Sequence, residues 1–153
     1  MQFLRVANSS DLGAAVDQIK TPDAFVIEEL PTNHDGHFRK YCWILVDKKW
    51  YPWHRVAASS GKVDAFSSDL SVSAKSRSDD ARFLHDPEAE MGTTAIRTLE
   101  QFATLLRFDF GGVDCDVDDA GRLMIFEANA TMAVLPPGQR QCGTTVDPLT
   151  QSL

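Results

Sequence analysis

Two neighbouring segments rich in aromatic and β-branched residues restrict the fold more than any other feature of the sequence. They run from Phe38 to Val46 and from Trp50 to Ala57, and only the polar stretch 47–49 separates them. Aromatic and β-branched side chains favour strands, and so short a connection joins antiparallel neighbours. The sequence therefore predicts an antiparallel strand pair with a tight turn, and residues 63–66 are a candidate third strand.

A regular apolar stripe further along the chain predicts an amphipathic helix. The stripe consists of Met91, Ala95, Leu99, Phe102 and Leu106. These residues are spaced by three or four positions, which places them on one helical face. We expect a helix over about 89–107 that packs on the sheet.

Weaker patterns occupy the rest of the chain. A short helix with a serine N-cap is expected over 10–20, and a strand over 24–27. The polar segment 71–86 predicts a partly helical, mobile connection, because its apolar residues show little periodicity. The tail 133–153 has no regular pattern.

Composition restricts the class of protein. The chain has 153 residues, 43% hydrophobic and 24% charged, which suits a single soluble domain with no membrane span and no secretory signal, so we expect a cytoplasmic protein. The net charge of -7 argues against binding to nucleic acid phosphates. Three widely spaced cysteines (Cys42, Cys115 and Cys142) predict neither a disulfide framework nor a zinc site.

The acidic stretch 113–129 resembles a calcium loop at first sight. Counted from Asp116, aspartates stand at loop positions one and three, Gly121 at six and Glu127 at twelve, as in an EF-hand. Position five is Ala120, however, where an oxygen ligand is required, and glycines precede the loop where an EF-hand has a helix. The stretch is better interpreted as a hairpin.

We expect this hairpin to consist of strands 113–117 and 122–128 around a four-residue turn, with Val117 opposite Arg122. Side chains alternate along a strand. Six residues then share one face: Asp114, Asp116, Leu123, Ile125, Glu127 and Asn129. Of these, Asp114, Glu127 and Asn129 would converge, and oxygen ligands of this kind suit Mg²⁺. The alternative is that Glu127 and Asn129 lie at a strand end and face water.

The spacing of these residues resembles that of a known family. Asp114, twelve intervening residues and then Glu127-Ala128-Asn129 is the arrangement in which D-alanyl-D-alanine ligases and their relatives place magnesium ligands. The stretches 38–41, 51–54 and 126–132 are similar to ATP-grasp modules of bacterial tetratricopeptide-repeat proteins, and the resemblance covers most of 3–132. It implies an α+β fold over 1–153, a mainly antiparallel sheet packed on helices, like the C-terminal subdomain of the ATP-grasp fold.

The resemblance also implies a nucleotide site. Glu28, Glu29 and Leu30 correspond to the family's hinge strand, which contacts adenine. Arg39 and Lys40 lie on the next strand, where the family places charged groups near the nucleotide or the substrate. Each of these charged residues has a simpler interpretation as part of a solvated strand face or strand end.

The implied activity is ATP-dependent ligation of a carboxylate to an amine or thiol through an acylphosphate, with Mg²⁺ as cofactor. The family's phosphate-covering lysine and glycine-rich loop belong to a first lobe that has no counterpart in this sequence. We therefore expect a C-terminal lobe completed by a second copy or by a partner chain. The alternative is a non-catalytic binding or structural domain that keeps the half-fold.

Overall fold

The computed structural model describes residues 4–19, 25–27, 30, 33–34, 36–59, 73–107 and 109–131. A 3₁₀ turn at Ser9–Asp11 leads into helix α1 (Leu12–Gln18). Three strands follow: β1 (Asn33–His34), β2 (His37–Val46) and β3 (Lys49–Ala58). Three helices come next, α2 (Ala74–His85), α3 (Pro87–Met91) and α4 (Thr93–Leu105). The hairpin β4 (Phe110–Val117) and β5 (Leu123–Asn129) completes the described fold.

The fold is α+β, as expected, with one antiparallel sheet and helices packed on it. β2 pairs with β3 and with β4, and β5 pairs with the other edge of β4. The short strand β1 pairs with the beginning of β2. The predicted strands 38–46 and 50–57 are thus confirmed as β2 and β3, with β2 in the interior of the sheet.

One face of the sheet forms the main core with the three helices. Alternate residues of β2 and β4 contribute to it, and the helices add Phe83, Met91 and Leu99. Phe83 packs between two aromatic rings of β2, 4.9 Å from Tyr41 and 5.2 Å from Trp43 between ring centroids. The opposite face carries a smaller buried cluster of Cys42, Ile44 and Trp53. Each face of β2 therefore buries apolar side chains, which explains the unbroken apolar run over residues 41–46.

The turn between β2 and β3 has only two residues, one fewer than the polar stretch suggested. Val46 pairs with Lys49, and Asp47 and Lys48 have φ angles of 47° and 62°. Two successive positive φ angles match the right-handed twist of a hairpin. Residues other than glycine adopt this conformation at a cost, so the turn stores a small amount of backbone strain.

A buried polar network attaches α2 to β3. Asp79 and Asp80 are only 5% and 3% exposed. Asp79 Oδ2 lies 3.1 Å from Arg55 Nη1, and Asp80 Oδ1 accepts a 2.6 Å hydrogen bond from the Arg55 backbone N–H. Charged groups are buried when they are paired and hydrogen-bonded, so these contacts position a helix whose packing face is largely polar.

The segment 71–86 was predicted to be a mobile, partly helical connection; its helical content is confirmed, and the helix is longer than the weak pattern indicated. Helix α2 is regular over twelve residues, and the Ser73 side chain accepts a hydrogen bond from the Ser76 N–H at its N-terminus. The buried residues of α2 are Ser76, Asp79, Asp80 and Phe83. Only one of them is apolar, so hydrophobic periodicity could not reveal the buried face.

The long helix predicted over 89–107 is divided into two at Gly92. Its φ of 85° and ψ of 148° lie outside every helical region, so α3 ends and α4 begins there. The predicted stripe still faces the core, since Met91, Ala95 and Leu99 are buried. The interruption leaves the packing face intact because the two helices follow each other directly.

Two other local predictions fail. Residues 25–27, expected in a strand, belong to none, and Phe25 and Ile27 are 86% and 82% exposed. The N-cap of α1 is Asp11 rather than serine, and its side chain makes no capping hydrogen bond. The predicted strand 63–66 and the tail 133–153 lie outside the described residues. Among the helices that the structure describes, none is long and apolar enough to cross a membrane.

Candidate functional site

The acidic stretch forms the hairpin β4–β5, but its register differs from the prediction. Val117 pairs with Leu123 rather than Arg122, so the turn contains the five residues 118–122. The Asp118 carboxylate organises this turn by accepting hydrogen bonds from the backbone N–H groups of Ala120 and Arg122 and from the Arg122 guanidinium. These bonds, first those from Arg122, lower the pKa of Asp118. The Asp118 carboxylate therefore serves to stabilise the turn.

A β-bulge then changes the alternation of β5. Cys115 pairs with Ile125, whereas the preceding residue Asp114 pairs with Glu127, so Phe126 is an extra residue. An unbroken ladder would place Phe126 opposite Asp114 and direct Glu127 toward the helices. Bulges commonly redirect side chains beside functional sites. This bulge places the Asp114 and Glu127 carboxylates on the same face.

The predicted grouping of side chains is therefore partly wrong. Leu123 and Ile125 pack against the helix-side core, opposite to the expectation that they share a face with Asp114. Glu127 and Asn129 do lie on the Asp114 face, since they pair with Asp114 and Gly112. The one-residue error in the turn and the unpredicted bulge compensate for each other. The three expected metal ligands consequently lie on one face.

Asp114 is joined to the neighbouring strand by an ion pair. Lys40 Nζ lies 2.8 Å from Asp114 Oδ2, and the two side chains are 16% and 17% exposed. The other oxygen, Asp114 Oδ1, is buried and accepts no hydrogen bond from an N–H or O–H group of the described residues, although the Cys42 thiol interacts with this carboxylate. Lys40, predicted to contact nucleotide, therefore contacts the first predicted metal ligand.

Glu127 and Asn129 lie at the exposed end of the same face. Asn129 Nδ2 donates a long hydrogen bond of 3.4 Å to Glu127 Oε1. Asn129 Oδ1 accepts from both the backbone N–H and the hydroxyl of Thr131, at 2.8 and 2.9 Å. These two bonds use both lone pairs of the amide oxygen. Metal ligation by Asn129 would thus replace at least one bond to Thr131.

Arg39 lies next to Lys40 in sequence but faces the helices. Its guanidinium is 5.8 Å from the centre of the Tyr41 ring, and its Nη2 is 3.4 Å from Asp116 Oδ1. The Asp116 side chain is fully buried and also accepts a hydrogen bond from the Val117 N–H. Burial raises the pKa of Tyr41, and the nearby Arg39 and Arg55 oppose this effect. Arg39 and Lys40 therefore do not form one cationic patch.

The predicted adenine contacts are only partly within the described structure. Glu28 and Glu29 lie outside the described residues. Leu30 is half-buried and belongs to no strand. Since 25–27 also lies outside any strand, the described residues here do not form the hinge strand that the resemblance implied.

Two cysteines adjoin the site without reactive character. Cys42 pairs with Asp114 across β2 and β4, and Cys115 is the next residue of β4. Burial, followed by the charge of Asp114, raises the pKa of Cys42 well above its ordinary value. Burial also raises the pKa of Cys115. Both thiols remain protonated at neutral pH and are poor nucleophiles.

The arrangement fits a hard divalent cation in its chemistry. The side chains of Asp114, Glu127 and Asn129 would bind a metal through oxygen atoms. One of these atoms, the buried Asp114 Oδ1, accepts no hydrogen bond from an N–H or O–H group of the described residues. Mg²⁺ favours one or two carboxylates completed by water or substrate phosphate. Within the described ranges, no group of three or more His, Cys, Asp or Glu side chains is arranged to hold a metal ion. A cation here would depend on two carboxylates, an amide and ligands from outside the chain.

Sequence reasoning missed the most extensive charged network of the described fold. Arg55, Asp79 and Asp80 are all buried and link β3 to α2. The paired aspartates inside a helical segment, with Phe83 one turn later, are a signal that could have suggested a buried polar face.

No protein-family model, curated protein or solved structure matches the chain.

Proposed function

We propose that this chain is the Mg²⁺- and ATP-binding lobe of an ATP-grasp type ligase, which joins a carboxylate to an amine or thiol through an acylphosphate. The observation that carries the proposal is the cross-strand pair of Asp114 and Glu127, which the bulge of β5 creates. Asn129 extends this acidic face, and Lys40 borders it. The residue types and their spacing are those of the resemblance described above.

In this proposal each side chain has a distinct role. Asp114, Glu127 and Asn129 would hold the cation, and Lys40, whose ammonium contacts Asp114 from the adjacent strand, would bind a phosphate oxygen. When bound, Mg²⁺ neutralises charge on the transferred phosphoryl group and orients the triphosphate. The phosphate-covering donors of the first lobe would come from outside these 153 residues, either from the same polypeptide or from a partner chain.

The proposal is tested by calorimetric titration of the purified chain with ATP in the presence of magnesium. Wild type should bind the nucleotide only with the metal, and Glu127→Gln should abolish or strongly weaken binding. Glu100→Gln is a matched control, because Glu100 is an exposed carboxylate on α4. Loss of binding in both variants, or in neither, would contradict the assignment of the site. Tight binding of calcium without nucleotide would instead support the calcium-loop interpretation.

A second candidate is a binding or structural domain without turnover. The close Lys40–Asp114 contact favours it, because an ammonium already neutralises the carboxylate that a metal would need. In that case Lys40 stabilises the sheet, and a folded wild-type protein should bind neither magnesium nor ATP. The same titration therefore separates the two candidates.

A further inference from the structure

We infer that Lys40 is a built-in substitute for the divalent cation, so that the hairpin binds metal and triphosphate together much better than metal alone. This inference rests on the proposed function and adds a specific role for Lys40. It concerns how strongly the binding of metal and the binding of triphosphate depend on each other. The location of the site alone does not determine this coupling.

The contact between Lys40 and Asp114 places a positive charge beside a proposed metal ligand. The ammonium is 2.8 Å from Asp114 Oδ2, and both side chains are more than four-fifths buried. A dication bound by Asp114 would come close to this ammonium, and like charges at contact distance repel strongly where water is partly excluded. The metal can therefore bind tightly only if the ammonium moves away or gains an anionic partner.

The charge of the whole cluster leads to the same conclusion. Its carboxylates are Asp114 and Glu127, and its cation is Lys40, whereas Arg39 is paired with the buried Asp116. The formal charge of the cluster is thus -1, and Asp114 already has a cationic partner. Addition of a dication alone would make the cluster positive. A triphosphate brought with the metal would offset this positive charge and offer the Lys40 ammonium an anionic partner in place of Asp114.

Lys40 is better suited to exchange partners than Arg39. Arg39 is held by Asp116 and lies over the Tyr41 ring. The lysine ammonium is a compact charge on a flexible four-carbon stem. It can leave Asp114 for a phosphate oxygen while its backbone remains in β2. Lys40 would then make metal binding depend on nucleotide, and by thermodynamic linkage the nucleotide would depend equally on metal.

The test compares wild type with Lys40→Met, using Mn²⁺ as a paramagnetic probe and magnesium with inorganic triphosphate as the second ligand. Free Mn²⁺ is measured by electron paramagnetic resonance, and triphosphate binding by calorimetry. We expect Lys40→Met to bind Mn²⁺ alone about tenfold or more tightly than wild type, because the repelling charge is removed. Binding of magnesium triphosphate should become weaker, because its ammonium partner is lost.

Lys49→Met is the matched control. Lys49 is exposed at the start of β3, seven positions from Val56, which pairs with Lys40. At about 3.3 Å per residue this separation is roughly 20 Å, more than two Debye lengths at physiological ionic strength. The affinities of this variant for Mn²⁺ and for magnesium triphosphate should match those of wild type. Such a result excludes a general loss of positive charge as the cause of the changes in Lys40→Met.

Because Lys40→Met leaves Asp114 without its ammonium, folding is followed separately by thermal unfolding. Lys40→Gln is the second variant, since its polar side chain can still donate to the carboxylate. Mn²⁺ should raise the midpoint of either variant more than that of wild type, because at a given concentration a ligand that binds the folded state more tightly stabilises it more.

The outcomes separate this inference from the proposed function. Unchanged or weaker Mn²⁺ binding by the Lys40 variants, with metal-dependent ATP binding by wild type, would overturn the inference and leave the function standing. Absence of metal and nucleotide binding in all variants would overturn both. Tighter Mn²⁺ binding by the Lys40 variants, with no metal-dependent ATP binding by wild type, would support the role of Lys40 and contradict the proposed function.

Discussion

The buried ion pair between Arg55 and Asp79 provides the sharpest test of how the fold is held together. Asp79 lies on α2 and Arg55 on β3, and their side chains are 7% and 8% exposed. Asp79→Ala removes the carboxylate and leaves the guanidinium buried without this counter-ion. Alanine is the better helix former, so a loss of stability cannot result from helix propensity.

The size of the effect follows from burial. Removal of one partner from a buried ion pair costs about 3–5 kcal/mol, because an uncompensated charge remains inside the protein. In a chain of 153 residues, this loss corresponds to a decrease in Tm of about 6–20 °C. Lys75 contacts the same carboxylate at 3.2 Å but is 87% exposed. Loss of an exposed pair changes the free energy of unfolding by about 1 kcal/mol at most.

The assay is urea unfolding followed by tryptophan fluorescence, since Trp43 and Trp53 are buried in the two faces of the sheet. Asp79→Ala should be destabilised several times more than Lys75→Ala. The double replacement Arg55→Met with Asp79→Leu should recover part of the loss, because neither member of the pair then leaves an uncompensated buried charge. Equal, small losses in the two single variants would refute the argument that this pair attaches α2 to the sheet.

Three other local features are tested by single substitutions. Asp118→Asn should reduce stability at neutral pH and match wild type in acid, as measured by urea unfolding over this pH range. The lowered pKa of Asp118 stabilises the folded protein above the ordinary pKa of 3.8. This stabilisation is lost as the pH falls through the lowered pKa of the folded state. Gly92→Ala should lower the free energy of unfolding by about 1–3 kcal/mol, because this residue has a φ of 85° and a ψ of 148°. Gly13→Ala inside α1 should instead raise the free energy of unfolding by up to about 1 kcal/mol, because an added Cβ meets nothing within 4 Å. Thermal denaturation compares the two variants. Lys48→Gly should stabilise by about 1 kcal/mol, since Lys48 has a φ of 62°, and a lower Tm would contradict strain in this turn.

Much of the sheet could be predicted because its signal is local. The strands β2 and β3 are recognisable from aromatic and β-branched residues around a short polar turn. The core residues Met91, Ala95 and Leu99 were identified from their spacing alone. Both patterns arise from side chains that must leave water, and such a requirement is visible in any short window of sequence.

Helix α2 could not be predicted in the same way. Its buried face consists mainly of Ser76, Asp79 and Asp80, which sequence patterns assign to the surface. The two aspartates are stabilised inside the protein by Arg55, which is distant in sequence and contacts both of them. The compensating partner exists only in the folded chain.

The candidate site shows the same division between local and tertiary information. The sequence by itself determined which oxygen-bearing side chains the hairpin carries and that Asp114 and Glu127 belong to opposing strands. Only the tertiary structure decided that Val117 pairs with Leu123 and that β5 has a bulge at Phe126. Register depends on the packing of a strand against its neighbours, and a shift of one residue reverses the face of every side chain. The contact of Lys40 with Asp114 likewise follows from the pairing of β2 with β4, which brings together residues 74 positions apart.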